Sequence, residues 1–340
     1  MNRSSRSIFV PSAVSSFFEV CDEDHEGKRI VDPIRIGARG GGFRISRGVV
    51  TKVTMRQTAG DEVWINGYPT PSAKTSLEAV KLARSVYGFK ESVKVEHEVE
   101  VPIGCGFGTS AAGALGTILA IQDALGLSDS SLAADLAHVA EVRNLTGLGT
   151  VIAAASSGGC IGLVTEPGAP SIGEVKMFDC NPNEYVFVGV VFGAVDKSTV
   201  LASEEKKRVV NIWGRRVLEA VLDDPTPSTL LHQSLIFAEK TGLATRDLLD
   251  LARYICRAGA EGATQNMIGR AVHALVKVEK AAQLIRGLRR LLPSAKIISS
   301  RLYAGPPRVL TEAFAVDLVR GFSPQPPHQL SVFLKERLQG

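Results

Sequence analysis

Over residues 7–100, alternating apolar and polar positions predict strands, with one helix between them. "SIFVP" (7–11) reads as a strand that Pro11 ends, because proline removes a ladder donor. "DPIRIGARGGGFRISRGVVTKVTM" alternates around Gly40–Gly42, which predicts paired strands joined by a tight connection. "DEVWING" is a further short strand. "SAKTSLEAVKLARSVYG" has helical spacing, with Ser72 as a cap and Gly88 just past its end. "SVKVEHEVEVP" alternates strictly and feeds a glycine-rich loop.

Beyond that loop, "SAAGALGTILAIQDALG" predicts a buried helix and "SDSSLAADLAHVAEVRNLTG" a second. "GGCIGLVTE", "GEVKMFD" and "EYVFVGVVFG" read as strands. Residues 200–260 are mostly helical, broken at "DDPTPS". "ATQNMIGRAVHALV" reads as a strand and then a helix. "AKIISSRL" and "PPRVL" close the fold, and "SPQPPH" introduces a weakly patterned tail. The change from strand-rich to helical sequence divides the chain into lobes at 1–195 and 196–340. The expected class is α+β, since helices follow mixed strands rather than alternating with them.

Composition excludes several classes. A chain of 340 residues with 45% hydrophobic and 22% charged residues has ordinary globular character. Its formal charge of +4 is too small for a nucleic-acid or polybasic membrane binder, but suits an anionic small substrate. No apolar run reaches the length of a membrane span. Pro11 and the acidic "CDEDHE" argue against a secretory leader. Five scattered cysteines without a C-x-x-C favour reduced thiols, hence a cytoplasmic protein. The histidines at 25, 97, 232, 273 and 328 show no metal spacing, and Trp64 and Trp213 read as packing residues.

Candidate chemistry concentrates in "VPIGCGFGTSAAGALG" (101–116). Three alternating glycines between a strand and a helix cost backbone entropy, which a close-approaching phosphate would justify. Thr109 and Ser110 stand where they can cap the helix, donate to phosphate or help hold Mg²⁺. A tight packed turn is the structural alternative. A Walker A loop is excluded because no lysine stands nearby. "GFGTSA" matches the dinucleotide fingerprint, but an alternating strand a hundred residues into the chain is the wrong setting for it.

Pro102, Gly106, Gly108, Ser110 and Ala111 fall in register with P-x-x-x-G-x-G-S-S-A, the second motif of the GHMP kinases, which this sequence resembles, with Thr109 replacing a serine. Within that superfamily it is most similar to the archaeal pantoate kinases, through "FVPSAVSSFFEV", "DPIRIGARGGGF", "AHVAEVRNLTGLG", "SSGG" with "EPGAP", and "ATQNMIGRAVHAL". The resemblance implies two lobes with MgATP in the cleft between them. It places ATP on Pro102, Gly104, Gly106, Phe107, Gly108, Thr109, Ser110, Ala111 and Ala112, and Mg²⁺ on Ser110 and Glu141. It assigns the acceptor side to Ala38, Arg39 and His138, and extends to homodimers as an assembly. Read alone, His138 and Glu141 would be a solvated helix face.

The acceptor side departs from the pantoate-kinase pattern. Thr150 stands in place of the aspartate expected to orient or deprotonate the acceptor. Ala38 replaces a serine, and Val164 and Thr165 stand where an arginine is expected. "PSAVSSFFEV" lacks the pattern's histidine and glycine. "QNMIGR" keeps only Gly269 of the third glycine motif, so phosphate support from that side should be weaker, with Arg270 as a compensator. His138, Asp196 or Glu19 could replace the missing aspartate. Arg35, Arg39 and Arg44 could add positive charge at the acceptor, or form a solvated strand face. "EEKKR" (204–208) reads as an exposed helix start that could lie at the cleft mouth. Three functions remain open: a kinase for a branched hydroxy acid such as pantoate, in coenzyme A synthesis; a kinase for a mevalonate phosphate, in isoprenoid synthesis; and a retired kinase fold that regulates through nucleotide binding.

Overall fold

A computed structural model describes residues 3–57, 60–194 and 204–310; Asp196 and the "SPQPPH" tail lie outside them. The first layer is a nine-stranded sheet, counted among the described residues. Its central strands are β2 (Ser7–Cys21) and β3 (Gly37–Arg56). The 20 residues of β3 pair with β2 on one edge, and on the other with β6 (Ser92–Val99) and then β7 (Ile161–Glu166). The edges are filled by β1 (Arg3–Ser4), β4 (Glu62–Ile65), β5 (Tyr68–Pro69), β8 (Glu174–Phe178) and β13 (Arg308–Leu310).

Two local expectations fail here. Pro11 does not end β2; the register shifts beside it, between Pro11 and Ser12, so the ladder tolerates the missing donor. Nor do Gly40–Gly42 turn the chain, since they lie inside continuous β3. A Cβ on Gly42 would lie 1.9 Å from the Val14 carbonyl oxygen, so glycine permits a close approach of β2.

Helix α1 (Lys74–Tyr87) begins at Ala73 without a side-chain cap, so Ser72 does not serve, and closes on left-handed Gly88 as expected. Helix α2 (Thr109–Leu125) is largely buried, with α3 (Ser130–Arg143) beside it; Asp129 caps α3 through the Leu132 amide at 3.0 Å. A short helix, α4 (Thr150–Ala155), was not legible in the sequence.

The second sheet runs β10–β11–β9–β12: Gly262–Gln265, Arg270–Lys277, Tyr185–Gly193 and Lys296–Arg301. Helix α5 (Glu204–Asp223) packs on β2 and β3 of the first sheet, and α6 (Pro227–Lys240), α7 (Arg246–Arg257) and α8 (Val278–Leu291) pack on the second. "RAVHALV" is therefore a strand, paired back onto β10 with Gln265 opposite Val272, and not the expected helix. Strand β9 precedes residue 195 yet belongs to the second sheet, and β13 returns to the first. One hydrophobic core runs through both layers. No helix among the described residues is long and apolar enough to cross a membrane.

Two histidines are buried within these layers. His97 bonds Thr51 Oγ1 and Ser76 Oγ, each at 2.9 Å, and burial lowers its pKa to about 4. His273, equally buried, is lowered to about 3 for the same reason. Both rings are thus neutral in the fold but take up a proton near pH 6.5 when unfolded. Stability is complete above that pH and falls as pH drops from about 6.5 toward 4, by on the order of a few kcal/mol for each ring. Melting temperatures measured between pH 7 and 4 should decline through this window; a flat profile would contradict the neutral, buried assignment.

Candidate active site

The glycine loop follows β6 and ends on α2. Gly104, Gly106 and Gly108 have φ of +74°, +80° and +67°, the left-handed region that side chains rarely adopt. Gly108 is the N-cap and no side chain caps α2, so Thr109 and Ser110 do not play the capping part expected of them. The amides of Gly108, Thr109, Ser110 and Ala111 belong to the turn that lacks intrahelical acceptors. Together with the left-handed glycines they form a cradle suited to phosphate oxygens.

Not every residue assigned to ATP presents its side chain at the loop surface. Phe107 is 1% exposed and meets Phe187 edge-on at 6.3 Å, anchoring the loop to the second sheet. The Ala112 amide donates to the Gly108 carbonyl at 3.0 Å, and its side chain is buried. The Ala111 side chain is also buried, as is Pro102, so Ala111 can offer only its backbone. Thr109 and Ser110 are half-buried at the helix start.

The turn 266–269 braces this loop from the second sheet. Asn266 Nδ2 donates to the Cys105 carbonyl at 3.1 Å, and its Oδ1 lies 2.9 Å from His273 Nδ1. His273 Nε2 is in turn 2.9 Å from Ser16 Oγ. A Cβ on Gly269 would lie 2.4 Å from the Cys105 carbonyl, so the remaining glycine of the third motif permits this contact. Arg270 lies 3.7 Å from Asp247 and over the Phe192 ring. The sequence reading missed this network because it took "RAVHALV" for a helix. In a hairpin, by contrast, Thr264 faces His273 and Asn266 opens the turn.

A cleft opens beside the loop. Val14, Phe17, Phe18, Leu148, Val164, Met267 and Ile268 give it apolar walls, and Ala38, Arg39 and Thr150 also line it. Thr150 joins the two regions, since a Cβ on Gly108 would lie 2.8 Å from its Cγ2. Glu141 is 2% exposed; Thr146 donates to its Oε1 at 2.7 Å, and a Cβ on Gly147 would lie 2.1 Å from Oε2. It therefore faces the 146–147 segment, which lines the cleft. Glu141 has no arginine or lysine partner among the described residues, a donor arrangement that fits a cation.

His138 is not on a solvated face either. It is 1% exposed, and its Nε2 bonds the Ile36 carbonyl at 2.9 Å, just before Ala38 and Arg39. Burial lowers its pKa, so the neutral ring holds the start of β3 from behind the cleft wall.

The arginines separate. Arg35 is exposed. Arg44 is 1% exposed and donates to the carbonyls of Gly159 and Gly305; burial lowers its pKa to about 10. Arg39 stays at the cleft and pairs with Glu19 at 2.8 Å. Glu19, 3% exposed, is held by arginines and is no free base. Lys207 of "EEKKR" is buried against Asp22, Glu23 and Glu204. No group of three metal-ligating side chains occurs among the described residues.

Comparison with known proteins agrees with this geometry. Residues 74–159 match the family model of the GHMP kinases N terminal domain. The chain belongs to the GHMP kinase superfamily and is an ATP-dependent phosphotransferase. A pantoate kinase from Thermococcus kodakarensis is 31% identical over 304 residues, 87% of this chain and 97% of the relative. A solved structure titled "Phosphotransferase related to CoA biosynthesis pathway" superposes with a TM-score of 0.78 at 27% identity, covering 91% of this chain and 98% of that one. The mevalonate diphosphate decarboxylase from Staphylococcus aureus shares the fold, with a TM-score of 0.67 and 14% identity over 91% and 98% of the two chains.

Proposed function

We propose that the chain phosphorylates the 4-hydroxyl of pantoate with ATP, a step of coenzyme A synthesis. The observation that carries this reading is the cleft: apolar walls and one cleft-facing guanidinium, Arg39, beside the phosphate cradle. A branched acceptor with a single carboxylate suits such a surface. A mevalonate phosphate carries more charge, and the other cleft arginine, Arg44, is already committed to backbone carbonyls.

The backbone of Gly104 to Ala111 would hold the triphosphate, and Ser110 and Glu141 would hold Mg²⁺. Bound MgATP supplies the transferable phosphoryl group. Arg39 draws the acceptor carboxylate toward the β3 wall, and the apolar residues exclude water around the branched carbon. Thr150, next to Gly108, accepts a hydrogen bond from the acceptor hydroxyl and orients it toward the cradle. A loose phosphoryl-transfer transition state needs orientation and charge stabilisation more than a strong base, so a neutral threonine can replace the aspartate. All five cysteines are free, in keeping with action in a reducing cytoplasm.

ADP release from MgATP tests the acceptor with pantoate, mevalonate and the mevalonate monophosphates. Turnover confined to pantoate is expected. Turnover confined to a mevalonate phosphate would transfer the chain to isoprenoid synthesis. Nucleotide binding with no turnover on any of these would leave another acceptor or a regulatory role.

A further inference from the structure

Arg39 does not stand at the cleft alone. Its Nη2 lies 2.9 Å from Glu19 Oε1, and Arg215 Nη2 reaches the same oxygen at 2.8 Å. Glu19 stands directly opposite Arg39 in the β2–β3 ladder, whereas Arg215 comes from α5, the helix packed on β2. Helix α5 is registered on the end of β2 by side chains one turn apart. Lys207 pairs with Asp22 and Glu23, Asn211 bonds the amide and the carbonyl of Val20 at 2.8 and 2.9 Å, and Arg215 meets Glu19. The contact is therefore built into the docking of the helix.

Its consequence is electrostatic. A buried carboxylate paired with one arginine would neutralise it, and Arg39 would offer an anionic acceptor little net attraction. Shared between two arginines, Glu19 leaves the cluster with one positive charge, and Arg39 is the member that lines the cleft. Resting on the pantoate reading above, we infer that Arg215 is a positioning residue for acceptor selection, which takes up part of the Glu19 charge and leaves Arg39 free to bind one carboxylate. The single net charge also sets a limit: a monocarboxylate is matched, and a more highly charged phosphorylated acceptor is not.

The test measures kcat and both KM values, with pantoate and MgATP, for wild type, Arg215→Ala and Arg215→Lys. The Arg215 side chain is 60% exposed, so its removal opens no core cavity, and a melting curve verifies folding. Arg215→Ala should raise the pantoate KM about tenfold while the ATP KM and kcat stay within about twofold. Arg215→Lys, which keeps the charge, should recover most of the loss, and added salt should narrow the gap between wild type and Arg215→Ala. An unchanged pantoate KM in Arg215→Ala would overturn the inference, as would a parallel rise in both KM values that lysine fails to rescue. Wild-type enzyme that turns over no pantoate would overturn the acceptor assignment and this inference with it. Pantoate turnover with an unmoved Arg215→Ala KM defeats the inference alone.

Discussion

Exchanging Glu141 for glutamine is expected to lower kcat by about a hundredfold or more, as befits loss of a charge that serves the transition state. The carboxylate is buried, and its Oε1 accepts from Thr146 at 2.7 Å. Its other oxygen lies against Gly147, where a Cβ would come within 2.1 Å. A buried carboxylate without a basic partner is costly unless a cation joins it. Glutamine keeps the shape and the acceptor for Thr146 but removes the charge. The melting temperature should therefore hold or rise slightly, while the Mg²⁺ concentration needed for half-maximal rate increases. Steady-state kinetics across a Mg²⁺ series reads both effects. A variant with wild-type kcat and Mg²⁺ dependence would reduce Glu141 to an anchor for the 146–147 segment.

The special backbone of the glycine loop was legible because its cause is local. Alternating glycines between an amphipathic strand and an apolar helix state their backbone requirement within a few residues, and three positive φ values meet it. Other glycines cannot be read this way. Gly42 serves the approach of Val14, a neighbour 28 positions away in sequence, so the same residue type that marks a turn in one setting marks close strands in another. Burial was the second blind spot. His138 and Glu141 share one face of α3, as their spacing predicts, but only the packed fold shows that this face is inside, with His138 on the Ile36 carbonyl and Glu141 on Thr146. Charge partners were the third. Arg39 and Arg44 are the same residue type in one strand, yet one faces Glu19 and the cleft while the other is drawn into backbone carbonyls. Alternation along a strand fixes which face a side chain takes, not what waits there.

Asn266→Ala should weaken both the fold and nucleotide binding. His273 is neutral in the fold, with a pKa lowered to about 3 by burial, so only one ring nitrogen carries a proton. Asn266 Nδ2 already donates to the Cys105 carbonyl, which leaves Oδ1 as an acceptor facing His273. The ring therefore donates from Nδ1, and its Nε2 accepts from the Ser16 hydroxyl at 2.9 Å. Alanine retains the Cβ that packs on Gly106 and removes only the amide. Two buried groups then lose their partners, the His273 Nδ1–H and the Cys105 carbonyl. At about 1–3 kcal/mol for each, the loss is about 2–6 kcal/mol of stability. The same amide fixes the carbonyl between Gly104 and Gly106, so a freed loop must be ordered again each time phosphate binds. The ATP KM should rise about tenfold while the pantoate KM changes little, because the cleft residues Met267 and Ile268 keep their own backbone tie, the Met267 amide to the Ser15 carbonyl at 2.9 Å. A lower melting temperature with an unchanged ATP KM would make the network a structural brace with no hold on the nucleotide. The paired loss would show that the second sheet organises the phosphate cradle, which takes over the support expected from the missing third glycine motif.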